Sequence, residues 1–272
     1  KDQVDVVQNG VDPKLYQVYS AREKEALRKK IGIKGSKIVG YVGRMNHNKG
    51  VGTMLELLEI CEKGDEDIGF IFATSNGNER RRFLNQLKMV APNLVATDRA
   101  KIVLDVAKLT GGSSSVDDIV NEHFYRQLKG EGFTQSQAYG GIVTTPIQGA
   151  LDLYMHPAQS EAICLAILES LMQGVPIVAS ETGGIPELVN ESNGILVNLD
   201  PVKYQDSDEE KKATNVRNAE TMHSAIADLD VQLERRTIAT PEDIRRQVKS
   251  KGLTKEGMQD KTRKVYQKAM GQ

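Results

Sequence analysis

Two carboxylates, Glu161 and Glu169, interrupt the otherwise apolar run "SEAICLAILESLM" at residues 160–172. Ala162, Ile163, Leu165, Ala166, Ile167, Leu168, Leu171 and Met172 would cover every face of a helix, so the run reads as a buried helix over about 160–173. Glu169 is then at least partly buried and needs donors, because an unpartnered buried carboxylate costs several kcal/mol or takes up a proton. Protein groups and ligand hydroxyls are both open as those donors. Ser160 reads as an N-cap, which puts Glu161 at or before the first turn, where free N–H groups and the helix dipole attract anions. As a plain dipole partner it would contribute about 0.3–1 kcal/mol.

A second group lies in "GYVGRMNHNKGV", residues 40–51, where an apolar run ends at Gly43 and is followed by Arg44 and Lys49. Glycine there lets a ligand approach the backbone. Two cations five residues apart suit a diphosphate, with Arg forking onto two oxygens and Lys acting as a mobile point charge. The spacing is neither a Walker loop nor the dinucleotide G-x-G-x-x-G. Ordinary solvated loop cations are the other reading. A third group, Thr182-Gly183-Gly184 in "ASETGGIPELV", offers either exposed N–H groups before a helix opened by Pro186 or a tight turn.

These groups need elements to hold them. Apolar runs at 36–43, 67–74, 100–107, 151–157, 175–180 and 194–199 read as strands buried on both faces. Helical spacing falls at about 20–31, 49–62, 78–91 and 160–173, with a short helix from Pro186. Alternation of this kind predicts an α/β fold, a doubly wound parallel sheet whose ligands bind beyond the carboxyl ends of the strands. Residues 108–147 are too long for an ordinary connection and read as an insertion, with an amphipathic helix over about 116–128. After Asp200 the chain turns polar at "SDEEKK" and then helical near 216–235, 241–250 and 254–270, a tail that packs rather than reacts. Thr240-Pro241-Glu242-Asp243 supplies an N-cap, a first-turn proline and acidic residues at the positive helix end.

The 272 residues, 39% hydrophobic and 27% charged, suffice for a sizeable core, and a net charge of −1 gives no electrostatic reason to expect nucleic acid or a membrane surface. Two cysteines, Cys61 and Cys164, in segments that read as buried helices suit reduced thiols in a cytoplasmic compartment. Four histidines and two cysteines scattered through the chain supply no cluster with zinc spacing. No apolar stretch reaches the roughly 20 residues of a membrane-spanning helix. Without an initiator Met or a signal-peptide pattern at Lys1, a fragment of something longer is expected.

In order, "VVQNGVDPKLY" (6–16), "GRMNHNKGV" (43–51), "LDLYMHPAQSEAICLAILESLMQGVPIVASETGGIPELV" (151–189) and "NGILV" (193–197) resemble the carboxy-terminal, nucleotide-sugar half of GT-B glycosyltransferases of family 4. The spacing Glu161-x7-Glu169 is the most specific part. The resemblance implies a Rossmann-like donor-binding domain over 1–272, with the 108–147 insertion and a helical tail over about 201–272. It implies transfer of a hexose from a UDP- or GDP-sugar to an unknown acceptor, with retention and with neither metal nor cofactor. Arg44 and Lys49 would hold the diphosphate and receive the charge of the leaving group, with Glu161 on the sugar hydroxyls and Glu169 on the ribose. Gly43 and the backbone from Ala162 through Ile163 and Cys164 to Leu165 would face phosphate and sugar, and the loop after "KIVLDV" would lie near the base. The acceptor would belong to an amino-terminal Rossmann-like half that residues 1–20 only lead away from.

The family usually has an element like E-G-F-G where this chain has Glu161-Ala162-Ile163-Cys164, and side chains at 162 and 164 would crowd a backbone that must approach phosphate. That variation favours the competing reading, a non-catalytic nucleotide-sugar or protein-interaction module. A phosphorylase on the same fold would want a lysine for pyridoxal phosphate, and no matching segment is evident. Cys164 itself reads as a small hydrophobe, because an apolar helix is the wrong place for an activated thiol.

Overall fold

The computed structural model describes residues 5, 7–74, 77–103 and 145–270. The expected helix at 116–128 and the loop after "KIVLDV" lie outside them. All six apolar runs contain strands: β1 (Lys37–Val42), β2 (Ile68–Ala73), β3 (Ala100–Val103), β4 (Leu153–His156), β5 (Ile177–Ser180) and β6 (Gly194–Val197). They pair in parallel in the order β3-β2-β1-β4-β5-β6. The chain winds outward from β1 in one direction and from β4 in the other, so the order reverses between these two central strands. Such a reversal opens a crevice at the carboxyl ends of the strands. β1 and β4 meet through Val39 opposite Leu153 and Gly40 opposite Tyr154.

Side-chain alternation divides the core between the two faces of the sheet. Ile38, Val42, Ile71, Tyr154 and Ile177 belong to one cluster, and Val39, Tyr41, Phe70, Phe72, Leu153, Met155 and Val178 to the other. Each fully buried Leu, Ile or Phe contributes about 1.5–3 kcal/mol. The first cluster is covered by α1 (Ala21–Ile31) through Leu27, and the second by α2 (Val51–Lys63) and α3 (Gly77–Val90). A short α4 (Pro92–Ala96), which the sequence reading did not anticipate, precedes β3. After β4 and β5 come α5 (Leu165–Met172) and the four-residue α6 (Ile185–Leu188).

The tail forms α7 (Asp208–Glu234), α8 (Pro241–Ser250) and α9 (Lys255–Ala269). "SDEEKK" is helical rather than a polar lead-in: Ser207 and Glu210 cap each other's backbone reciprocally, and three acidic residues fill the first turn. Met222, Ile226 and Leu229 of α7 join the second core cluster, and Ile244 and Val248 of α8 the first. Thr240 caps α8 as expected, accepting from the Asp243 N–H at 3.2 Å. The Arg245 guanidinium donates to the carbonyls of Tyr16, Pro13 and Met172, the latter two at 2.6 Å. It fastens the amino-terminal segment to the carboxyl end of α5, where the helix dipole favours a cation.

Candidate functional site at the β1/β4 switch point

The expected helix over 160–173 is shorter at its start. Residues 160–164 form a loop, the N-cap is Cys164 rather than Ser160, and α5 opens at Leu165. Glu161 therefore stands in the approach to the helix, and the run is not buried all round: Ala162 is exposed and Leu165 is 43% exposed. The cause is a clamp from the loop after β5. The Gly184 N–H donates to the Ala162 carbonyl at 2.8 Å. Gly183, at φ 54°, packs so closely on the Glu161 carbonyl that any Cβ there would overlap it. The Thr182-Gly183-Gly184 turn thus holds the loop in place, and of its two sequence readings the tight turn is the one realised.

The loops after β1 and β4 are also tied together. The Asn48 carbonyl accepts from the Gln159 N–H at 2.9 Å, and Gly50, at φ 71°, lies against the Pro157 carbonyl. On the other side, Glu79 of α3 accepts from the Met45 N–H at 2.8 Å. Lys49, in a single turn of 3-10 helix, is brought in this way to Glu161, its Nζ 2.5 Å from Oε2. The same oxygen lies 3.1 Å from Nε2 of His156, and Oε1 accepts from the Ala162 N–H at 3.2 Å. The His156 hydrogen bond, helped by Lys49, holds the Glu161 carboxyl down at about 2 against its partial burial.

His156 was not marked out by the sequence reading, yet it sits at the centre of the site, 2% exposed at the end of β4. Its Nδ1 lies 3.4 Å from the Tyr154 hydroxyl and 3.8 Å from the Cys164 sulfur. Burial by itself would push the imidazole down; Cys164 and Glu161 outweigh that and lift it to about 9. Tyr154 and Tyr41 spend their hydroxyl protons on the carbonyls of Val42 (2.9 Å) and Arg44 (2.8 Å), shaping the end of β1. A Cβ at Gly43 would come 2.8 Å from the Tyr41 hydroxyl, so glycine keeps that turn open.

Arg44 is exposed, and among the described residues its guanidinium has no ion-pair partner. Ile163 is half-buried against the core. Cys164 caps α5 without a side-chain hydrogen bond to its backbone, and the first-turn N–H groups have no intrahelical partner. Glu169 lies further along the helix, where Gln148 Nε2 donates to its Oε2 at 3.3 Å and Tyr16 also bonds to it. Burial pushes its carboxyl up, partly offset by these two donors. Of the expected set, Lys49 and Glu161 are in direct contact, Gly43 and Arg44 flank them, and residues 162–165 adjoin Glu161. Glu169 is a separate, protein-bonded carboxylate.

The histidines and cysteines are less scattered than the sequence suggested, since His156, Glu161 and Cys164 offer ligand atoms within 4.8 Å of one another. The two ring nitrogens of His156 nevertheless point at different partners, Nε2 at Glu161 and Nδ1 at Cys164.

A family model described as glycosyl transferases group 1 matches residues 122–207, which include β4, the 160–164 loop and α5. A GDP-mannose-dependent alpha-mannosyltransferase of Corynebacterium glutamicum is 28% identical over 200 residues, 73% of this chain and 36% of that protein. Over residues 122–207 the chain is similar to the group 1 glycosyl transferases. A lipopolysaccharide core biosynthesis mannosyltransferase of Rhizobium meliloti is 26% identical over 202 residues, 73% of this chain and 47% of that protein. The chain thus spans less than half the length of these two relatives. A sucrose-phosphate synthase from Thermosynechococcus elongatus superposes on 97% of the chain and 52% of its own, with a TM-score of 0.62 at 18% identity. That likeness extends to the fold alone, a Rossmann-like parallel sheet flanked by helices. Among the described residues no helix is long and apolar enough to cross a membrane.

Proposed function

We propose that this chain is a group 1 glycosyl transferase, the donor-binding part of a retaining, metal-independent hexosyltransferase that takes a UDP- or GDP-sugar. The observation that carries the reading is the meeting of Lys49 and Glu161, from the loops after β1 and β4, beside the uncapped amino end of α5. A cation, an acceptor of hydroxyl hydrogen bonds and a row of free N–H groups are what a glycosyl diphosphate requires at its scissile end. As the glycosyl–phosphate bond breaks, negative charge grows on the departing diphosphate. In this reading Arg44, Lys49 and the α5 N–H groups receive it. Glu161 takes the sugar hydroxyls and Glu169 the ribose, the latter giving up its bond to Gln148 or Tyr16. The acceptor is supplied by an amino-terminal Rossmann-like half, and the chemistry requires no cofactor.

Ala162 is exposed, and the Cys164 sulfur lies against His156. This favours a working donor site over a degenerate module. The GDP-mannose dependence named for the Corynebacterium relative supports a nucleotide-sugar donor. Isothermal calorimetry of the folded chain with UDP-, GDP- and ADP-sugars tests the proposal. One nucleotide class should bind, and binding by none of them would remove the donor reading.

A further inference from the structure

We propose that Cys164 is a reactive thiol, activated by His156 and oriented by Glu161, whose oxidation by small hydroperoxides switches the site off. The three side chains have the relations of a nucleophile, a base and the group that fixes the base. Cys164 Sγ is 3.8 Å from His156 Nδ1, and His156 Nε2 is 3.1 Å from Glu161 Oε2. Lys49 anchors that carboxylate from the far side at 2.5 Å.

The protons leave little choice of arrangement. Nε2 faces a carboxylate that can only accept, so it carries hydrogen. The Tyr154 hydroxyl, also near Nδ1, donates to the Val42 carbonyl at 2.9 Å, and that of Tyr41 to the Arg44 carbonyl. Nδ1 therefore has the Cys164 sulfur as the partner with which to exchange a proton. The sulfur also sits at the N-cap of α5. Cys164 is buried in the hydrophobic core, as a small hydrophobe would be, but it stands at the N-cap and not inside the helix, with its sulfur against His156.

Cys164 is buried but, at 7% exposed, not fully enclosed, and its chain neighbours Ile163 and Leu165 are partly buried and exposed, respectively. Cys61 supplies a contrast within the same chain: it is 1% exposed in α2, and burial pushes its thiol up to about 12.

With a hydroperoxide the sulfur attacks one peroxide oxygen. An S–O bond forms as the O–O bond breaks, and the thiol proton passes through His156 to the departing oxygen. The products are the sulfenic acid and an alcohol, or water when the oxidant is hydrogen peroxide. Sulfur loses two electrons and the peroxide gains them. A dithiol reverses the step, giving back the thiol with water and its own cyclic disulfide. The added oxygen would stand at the amino end of α5, where a diphosphate would bind. That consequence, unlike the thiol's reactivity, rests on the donor reading above.

Peptide mass spectrometry of the full chain tests this. At pH 7 iodoacetamide should label Cys164 at least about tenfold faster than Cys61. Hydrogen peroxide should add one oxygen at Cys164, removable by dithiothreitol, and His156→Gln should slow labelling of Cys164 about tenfold. If circular dichroism finds that variant unfolded, Glu161→Gln, which loosens the imidazole, should slow labelling severalfold in its place. Equal rates at the two cysteines in the wild type, or an unchanged Cys164 rate in a folded variant, would overturn the proposal. Peroxide should also cut nucleoside diphosphate affinity at least roughly tenfold, and an oxidised chain that binds as before would refute the switch. Failure of the reduced chain to bind any nucleotide would count against the donor site alone, because the labelling rates decide the thiol independently.

Discussion

Lys49 Nζ lies 2.5 Å from Glu161 Oε2, although 112 residues separate them, and both side chains are largely buried, at 16% and 11% exposure. Arg44, five residues before Lys49, is exposed and unpaired among the described residues. The two cations therefore have different consequences when removed. Lys49→Ala leaves a largely buried carboxylate with His156 and one N–H, so it should lower both melting temperature and nucleoside diphosphate affinity. Arg44→Ala should weaken nucleotide binding about tenfold while changing stability by no more than about 0.5 kcal/mol. Thermal melts and calorimetry on the two variants check this, and equal nucleotide affinity in Arg44→Ala would return that residue to the solvated loop.

The pair of shifted groups at the site sets a pH window. Glu161 is held down from an ordinary 4.5 to about 2, so its contribution to stability is complete above 4.5 and is lost as pH falls toward 2. His156 is lifted from 6.5 to about 9, so its contribution is complete below 6.5 and is lost as pH rises through 9. Together they place their greatest joint support between about 4.5 and 6.5. Calorimetric melts of the wild type should decline across the interval from 6.5 to 9, and His156→Gln should remove part of that slope. Parallel curves for the two proteins in this interval would dissociate His156 from the alkaline loss.

Much of this arrangement could be read from the chain, for reasons that differ by element. Strands such as "KIVGYV" and "IGFIFA" are apolar on both faces, and that signal is local. The start of α5 was misplaced because Ala162 and Ile163 look helical in sequence. What keeps them out of the helix is Gly183 and Gly184, some twenty residues later. His156 was missed because one imidazole in a buried strand has no periodicity, although its place at the strand end five residues before Glu161 was a usable signal. Ser207-x-x-Glu210 was a readable capping box that the acidic run "SDEEKK" obscured. The Lys49–Glu161 contact itself depends on the sheet order, which brings β4 beside β1.

Glu169 separates a ligand role from a packing role. Its carboxyl is pushed up by burial while Gln148 and Tyr16 donate to it. An amide at this position removes a partly buried charge and keeps a carbonyl oxygen for one of those donors. Glu169→Gln should therefore melt within about 2 °C of the wild type. If the residue holds ribose, nucleoside affinity should fall about tenfold, the loss of a charge-assisted hydrogen bond. A collapse of melting temperature, with affinity retained in the folded fraction, would make Glu169 a structural carboxylate.

Gly183 offers a way to move Glu161 without changing it. At φ 54° a side chain is strained, and a Cβ would overlap the Glu161 carbonyl oxygen, so the loop at 160–164 must shift to admit it. Gly183→Ala should cost about 1–3 kcal/mol in urea unfolding. It should also weaken nucleotide binding, because the carboxylate loses its register with Lys49 and His156. Gly77→Ala is the matched control: it opens α3, a Cβ there meets nothing within 4 Å, and both quantities should stay at the wild-type level. If Gly183→Ala unfolds at the wild-type urea midpoint and binds nucleotide as tightly, the clamp does not position the site.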